Sequence, residues 1–441
     1  MQPYPPLQTL LAASVLRQAE LNVAVCDVTL EPPEQEFERL LRVRTPRLVV
    51  VCEDDFNFLT KMCLVRNREL AFRMAATARW RGCLTAVHSS DASDHVKEYL
   101  KAGFHYVLIG EVESTLLELA TGKPVPEISG LAYLSPTTGH PRLNSPRKLR
   151  TDLDALPSPA WDLINIDQYR QAWRRAHHFF SLNMVSSRGC PYKCNWCAKP
   201  IYGNNYHVRS ARAVAEEMLY VKQQFAPDQI WFADDIFALS ASWTFEFANA
   251  VDTLGAQIPF KMQSRCDLMT RDTVTALKKA GCQEVWMGAE SGSQRILNAM
   301  EKGIRVEHIY RARKNLQNHG IRAGFFLQFG YPGETWEDIE ATVHIVRETK
   351  PDDIGVSVSY PLPGTKFYQL VSSELKDQAN WSDSADLAMM FRGEYSTKFY
   401  RALADALHLE VRQSGSKDSI REAWNRVYEL ENLNRYRAGV A

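Results

Sequence analysis

The stretch that decides the reading of this chain is Ser186-Ser187-Arg188-Gly189-Cys190-Pro191-Tyr192-Lys193-Cys194-Asn195-Trp196-Cys197, with three cysteines at C-x3-C-x2-C. Thiolates packed this closely suit a soft metal, above all an iron–sulfur cluster. Three of them can hold three irons of a [4Fe–4S] cluster and leave the fourth iron open to an outside ligand. Zinc is the competing reading. Tetrahedral structural zinc takes four ligands, and no fourth Cys or His stands at a customary spacing; His207 is ten residues beyond Cys197.

The 441-residue chain holds nine cysteines, and the other six, Cys26, Cys52, Cys63, Cys83, Cys266 and Cys282, are scattered. An odd count in a large chain argues against a disulfide framework, so these six read as small buried hydrophobes. Lys plus Arg and Asp plus Glu each total 52, for a formal net charge of zero. Bulk attraction to nucleic acid is not expected on that balance. No apolar run approaches the roughly 18 residues of a membrane span. The opening MQPYPPLQTL has no basic n-region and no signal-type cleavage site, so a cytoplasmic location is expected.

Downstream of the cysteines, strand-like and helix-like segments alternate. β-rich runs fall at Leu182–Ser186, Gln229–Ala233, Phe260–Ser264, Glu284–Met287, Ala323–Phe329 and Asp353–Ser359. Between them, Ala211–Phe225 sets Val214, Met218 and Val221 on one helical face, and Arg271–Ala280 and Trp336–Glu348 read alike. Such βα alternation predicts a parallel sheet, open or curved into a partial barrel, with ligands at the carboxyl ends of its strands. The cysteine loop follows the first strand and belongs at that rim.

The N-terminal part is also α/β by alternation, with strands expected at Asn22–Val28, Arg47–Cys52, Leu84–His88 and Tyr106–Ile109, and helices at Leu7–Gln18 and Ser93–Ala102. Thr121–Pro159 is rich in Pro, Gly, Ser and Thr and reads as a linker with a short hairpin around Gly130–Tyr133. After Gly364 the strands stop, and residues 376–441 read as a helical tail packed on the barrel.

Taken together, these segments resemble the radical S-adenosylmethionine superfamily, in its branch with an N-terminal cobalamin-binding domain, which includes Mg-protoporphyrin cyclase-like and methyltransferase-like members. The resemblance covers residues 180–375 best. It rests on Arg188-Gly189-Cys190-Pro191 leading into the cysteines, with Trp196 before the third. It rests further on Gly288-Ala289-Glu290-Ser291-Gly292-Ser293 with Met300 and Lys302-Gly303, on Gly330-Tyr331-Pro332-Gly333-Glu334-Thr335, and on Pro361-Leu362-Pro363-Gly364-Thr365. The fold it implies is α/β. A Rossmann-like domain of cobalamin-binding type lacking its first strand (1–122) joins through a linker (123–180) to a partial (β/α)6 TIM-like barrel (181–375) and a helical C-terminal segment (376–441).

The resemblance implies a [4Fe–4S] cluster on Cys190, Cys194 and Cys197, with S-adenosylmethionine on the open iron, and an external one-electron reductant of flavodoxin or ferredoxin type. It implies reductive cleavage to a 5′-deoxyadenosyl radical, for methylation, cyclisation or oxidation of a small-molecule or lipid-like substrate. The alternative is a degenerate member that binds the cluster in a regulatory role without turnover. Around the cofactor, Asp234 and Asp235 suit the methionine ammonium, or else an N-cap. Glu290 suits a ribose hydroxyl or the ammonium, or else is a solvated rim carboxylate. Arg265 suits the methionine carboxylate, or else a salt bridge to Asp267 or Asp235. Gly330 and Gly333 allow close approach near the adenine, or simply form a turn, and Trp196 completes the set. Cobalamin is the third group implied, with His105–Leu119 resembling its domain's last strand and loop, including Gly110, Glu111 and Glu113. Two departures bear on it. The usual first strand is missing, and AVHSSDAS around His88 lacks the usual glycine pair, so His88 reads as a turn histidine. Met389, Met390 and Phe391 suit a substrate pocket or, more simply, core.

Overall fold

The computed structural model describes residues 3–30, 33–54, 56, 64–375 and 387–439. Two large sheets organise them. The first contains β1 (Leu48–Cys52), β2 (Leu84–His88), β3 (Tyr106–Leu108), β4 (Leu131–Leu134) and β5 (Pro141–Leu143), adjacent in that order. β1 to β3 are parallel, and β4 and β5 return antiparallel. Its helices are α1 (Leu7–Gln18), α2 (Pro33–Arg44), α3 (Leu64–Trp80), α4 (Ser90–Asp94), α5 (Val96–Lys101) and α6 (Val112–Ala120).

Strand alternation explains the two layers. Ala86, Leu108 and Leu131 pack with Ala12 of α1 and Leu116 of α6, while their neighbours Val87, Val107 and Ala132 pack with Ala71 and Ala75 of α3 and with Tyr99 and Phe104. This is a doubly wound sheet. The hairpin expected near Gly130 is β4–β5, and it extends this sheet through β3.

Two local expectations change. Asn22–Val28 is not hydrogen-bonded into a sheet, and among the described residues β1 is an edge strand with β2 alone beside it. The segment is secured through side chains instead. Cys26 packs near Val49 and Val51, and the Tyr169 hydroxyl donates to Asp27 at 2.6 Å. The helix expected over Ser93–Ala102 is two short helices. Ser89 caps the first early, its Oγ accepting from the Ala92 N–H, and the chain breaks at His95.

The second sheet is the open barrel. α7 (Ile166–His177) leads into it. Its strands are β6 (Ser181–Met184), β9 (Gln229–Phe232), β10 (Phe260–Ser264), β11 (Cys282–Glu290), β12 (Arg322–Phe329) and β13 (Asp353–Val358), all parallel and neighbouring in sequence order. Between β6 and β9, β7 (Ser187–Arg188) and β8 (His207–Val208) pair antiparallel and frame the cysteine loop. Alternating with the strands come α8 (Ala211–Phe225), α9 (Ala241–Leu254), α10 (Arg271–Ala280), α11 (Gln294–Ala299), α12 (Val306–Asn318) and α13 (Trp336–Thr349). α14 (Lys366–Val371), α15 (Thr397–Arg412) and α16 (Lys417–Gly439) follow.

The barrel core lies between strands and helices, where Ile230, Phe232, Phe260, Met262, Val285 and Met287 are fully buried. α15 covers β13, with Arg412 paired to Asp353 at 3.0 Å. The tail residues Met390, Phe391, Tyr395, Phe399 and Tyr400 are buried, so this stripe is core. Part of the expected helical segment, residues 376–386, lies outside the described residues. No described helix is long and apolar enough to cross a membrane.

Candidate functional site

The site grows from the loop that β7 and β8 frame. Cys190, Cys194 and Cys197 are half-buried thiols at the carboxyl rim of the barrel, directly after its first strand. Burial pushes the Cys190 thiol up, while the Lys199 ammonium opposes that rise. Lys199 is the internal post of the loop, its Nζ donating to the carbonyls of Cys190 (2.9 Å) and Tyr192 and to Asn204 Oδ1 (2.9 Å).

The far end of the loop is tied across the barrel mouth. The Asn195 N–H donates to the Met300 carbonyl at 3.0 Å, and its own carbonyl accepts from the Phe367 N–H at 3.0 Å. Its Nδ2 donates to the Ala299 carbonyl (2.7 Å) and to the Tyr331 hydroxyl (2.8 Å). Thus the segments quoted after β11, β12 and β13 converge on the cysteine loop. Trp196 packs with Ile296, Met300, Tyr331 and Phe367, and its Nε1 is buried without a hydrogen-bond partner.

Cations gather on the same side. Arg265, just past β10, stacks 3.6 Å over the Tyr192 ring and donates to the Lys302 carbonyl at 2.9 Å, and its Nη1 lies 4.0 Å from Cys194 Sγ. It pairs with Asp267 at 3.0 Å, which decides between the two carboxylate partners considered for it. Lys302 pairs with Glu290 at 2.7 Å and lies 6.0 Å from the Trp196 ring centre. Burial alone would drive the Lys302 ammonium down, yet Glu290 and Cys194 hold it above the ordinary lysine value.

Glu290 ends β11, is buried rather than solvated, and sits in the left-handed region at φ 59°. Gly288 makes room for the pair, since a Cβ there would collide with both Glu290 Oε1 and Lys302 Nζ.

The two aspartates separate. Asp234 is buried and accepts from the Ser186 N–H (3.1 Å), Ser186 Oγ (2.6 Å) and Ser187 Oγ (2.5 Å), clamping the end of β9 to the start of the cysteine loop. Burial lifts its carboxyl to about 6 against those bonds. Asp235 is exposed at the rim. Neither caps α9, because Ser240 does so. Gly330, at φ 72°, donates its N–H to Glu334 Oε2 at 2.6 Å and is covered by Met389 and Tyr400.

Among the described residues, no three His, Cys, Asp or Glu side chains converge to hold a single metal ion. Of the other cysteines, Cys83, Cys266 and Cys282 are buried, Cys26 and Cys52 are half-buried, and Cys63 lies outside the described residues. His88 is no turn residue. It ends β2, fully buried, with Nδ1 3.2 Å from the Leu108 carbonyl. The sequence reading gave no role to Lys302, Lys199, Asn195 or Tyr192. Lys302 and Asn195 stand inside the quoted motifs, and that was their only signal.

Comparison with known proteins agrees with this geometry. Residues 184–346 match the model of the radical SAM superfamily. An uncharacterised methyltransferase of Pyrococcus horikoshii is 30% identical over 282 residues, 62% of this chain and 60% of that protein. The hopanoid C-3 methylase of Methylococcus capsulatus is 27% identical across 84% of this chain and 69% of its own length. Among solved structures, the radical S-adenosylmethionine methyltransferase TsrM of Kitasatospora setae, with cobalamin and a [4Fe–4S] cluster bound, superposes with a TM-score of 0.70 at 19% identity. That match covers 84% of this chain and 72% of TsrM. With the cysteine loop, the six parallel strands and the preceding doubly wound sheet in agreement, residues 184–346 of this chain form a radical SAM domain, and the chain shares the fold of TsrM over 84% of its length.

Proposed function

We propose that this chain is a radical S-adenosylmethionine enzyme that methylates, cyclises or oxidises an unactivated carbon of a small-molecule or lipid-like substrate. The observation that carries the reading is the cysteine loop, held at the carboxyl rim and tied to the segments that follow β11, β12 and β13. When bound, a [4Fe–4S] cluster and S-adenosylmethionine supply a 5′-deoxyadenosyl radical, with the electron coming from a reductant of flavodoxin or ferredoxin type.

The chain's own residues then have distinct tasks. Cys190, Cys194 and Cys197 hold the irons, and Arg265 and Lys302 place positive charge beside Cys194 to offset that of the thiolates. Asp235, exposed at the rim, is the aspartate available to an ammonium; Asp234 positions the loop instead. Glu290 accepts from a ribose hydroxyl or the ammonium on the edge away from Lys302. Arg265 suits the methionine carboxylate from its place between Tyr192 and Cys194. Gly330 and the Trp196 wall bound the adenine side.

The proposed division places the Rossmann-like domain at 1–122, joined by the hairpin β4–β5 from within the expected linker (123–180), the barrel at 181–375 and the helical segment at 376–441. Cobalamin is proposed as the third group, at the carboxyl edge of the first sheet. That edge is open at Gly110, where a Cβ would meet no atom within 4 Å, and buried His88 supplies no cobalt ligand. The lipid-like substrate class draws on the likeness to the hopanoid methylase, which spans most of this chain.

Anaerobic reconstitution with iron and sulfide tests the reading. About four irons per chain and release of 5′-deoxyadenosine with methionine are expected. One tightly held zinc and no cleavage would overturn it.

A further inference from the structure

Beside the cysteine loop, a deeply buried charge cluster joins the two sheets. Arg188 Nη1 lies 2.7 Å from Glu111 Oε1, and Nη2 pairs with Glu113 Oε1. The three residues are 4%, 6% and 2% exposed. Glu111 immediately precedes α6 and Glu113 lies in its first turn, so both belong to the Rossmann-like unit, whereas Arg188 belongs to the barrel's cysteine flap. Gln8 of α1 donates to Glu113 at 3.0 Å, and the Arg150 N–H donates to Glu111 Oε2 at 2.5 Å. One guanidinium therefore lies between two carboxylates, with amides and the positive end of α6 offsetting the excess negative charge.

Burying ions is a poor way to gain stability, because desolvation cancels most of the attraction; what such a cluster does well is fix register. Here the register it fixes is that of the first cysteine. Arg188 is separated from Cys190 by Gly189 alone, and Gly189 has φ 78°, with its Cα hydrogen turned toward the Asn205 carbonyl where a Cβ would collide. The direction in which the chain leaves Arg188 thus sets where Cys190 stands. The other end of the flap is held on the same neighbour. Tyr202 lies under the Arg188 guanidinium, 5.8 Å from CZ to ring centre, and stacks at 6.4 Å on Phe56 from the loop after β1.

We infer that Arg188 is a positioning residue for the iron–sulfur cluster, and that the Rossmann-like unit holds the cysteine flap in place through Glu111 and Glu113. The inference rests on the cluster reading of Cys190, Cys194 and Cys197. It gives the N-terminal unit a task at the cluster that does not depend on cobalamin.

The test uses the full chain, reconstituted anaerobically, as Arg188→Met, Arg188→Lys and the double variant Glu111→Gln/Glu113→Gln. Iron per chain, the rate of iron loss to a ferrous chelator, the EPR spectrum of the reduced cluster and the thermal melt are measured on each. Arg188→Met is expected to lose iron at least about tenfold faster than wild type, with altered g-values and an unchanged far-UV spectrum. The double variant shifts the same way, and Arg188→Lys recovers most of the retention. Wild-type release and g-values in Arg188→Met would overturn the inference, as would a loss that Arg188→Lys does not restore. Should Arg188→Met fail to fold, the double variant decides by the same two readouts. A wild-type chain that takes up no iron defeats the cluster reading itself, which is a different result from variants that match a loaded wild type.

Discussion

Glu290 carries a backbone conformation that few side-chain-bearing residues adopt, φ 59°, at a cost of about 1–3 kcal/mol. The conformation persists because Lys302 grips the carboxylate at 2.7 Å and Gly288 leaves the space for both. Gly288→Ala puts a methyl group where the ion pair now lies. Cluster uptake should survive that change while S-adenosylmethionine binding, followed by equilibrium dialysis, falls by at least about tenfold, as loss of one buried charged contact predicts. Unchanged binding would remove Glu290 from the cofactor set. Glu334 poses a different residue-scale question. Burial lifts its carboxyl to about 8 from 4.5, and its Oε1 and the Tyr400 hydroxyl are both buried without a hydrogen-bond partner. A carboxyl that binds its proton more tightly in the folded chain stabilises that chain most at low pH. Stability should therefore decline as pH rises from about 4.5 to about 8 and level off above, where the folded group too has ionised. Glu334→Gln removes this contribution while keeping an acceptor for the Gly330 N–H. Melting curves of the two proteins should diverge with pH across that window, and parallel curves would show Glu334 to titrate normally.

At the scale of elements, the cysteine flap shows what a sequence makes legible and what it does not. C-x3-C-x2-C announces itself because ligand spacing is local, and the parallel strands follow from β-rich runs of ordinary strand length alternating with helical patterns. The flap's ties are invisible at that level. Asn195 meets Ala299 and Tyr331 only once the register of β11 and β12 has brought them there, and nothing in the local string around Asn195 encodes that. The same limit explains Asp234 and Asp235. Adjacent in sequence, they face opposite environments because a strand end turns one inward to Ser186 and Ser187. It explains Asn22–Val28 as well, an expected strand whose residues are half-buried or exposed and whose pairing depends on neighbours the local pattern cannot supply. Asn195→Ala is the test at this scale. Removing the side chain takes away two hydrogen bonds, each worth about 0.5–1.5 kcal/mol, while the Tyr331 hydroxyl keeps its own 2.9 Å bond to the Ala299 carbonyl. Iron should be lost to chelator faster than from wild type with the barrel melt lowered only slightly; an unaltered release rate would show that the backbone bonds at Asn195 suffice.

For the whole molecule, the question is whether the two sheets fold as one body, and the first described residues decide it. α1 reaches the core of the first sheet through Ala12 and the barrel core through Leu7, Leu10 and Leu11, and the residues leading to it, Pro3 to Pro5, bond to the barrel. The Trp173 indole donates to the Pro3 carbonyl at 2.6 Å, Asn183 donates to the Pro5 carbonyl at 3.0 Å, and the Tyr4 hydroxyl is 3.2 Å from Ser181 Oγ. The Tyr4 ring lies 5.1 Å from that of Trp173 and 4.7 Å from that of Trp231, with the Lys261 ammonium 5.7 Å away. A short run of chain is thus anchored in one unit and continues as a helix packed on both, so neither can loosen without pulling on its neighbour. The Arg188 cluster makes a second tie between them. Two ties at separate points argue for a single cooperative unfolding transition. Tyr4→Ala should cost about 2–4 kcal/mol, by analogy with truncating other large aromatic side chains, and should lower that one transition as a whole. Denaturant unfolding, of a Trp80→Phe background so that no described tryptophan of the first unit contributes, followed both by tryptophan fluorescence and by far-UV circular dichroism distinguishes the outcomes. Coincident curves that shift together support one body, whereas a Tyr4→Ala protein whose fluorescence midpoint moves while a separate helical transition stays in place would show two units that merely touch.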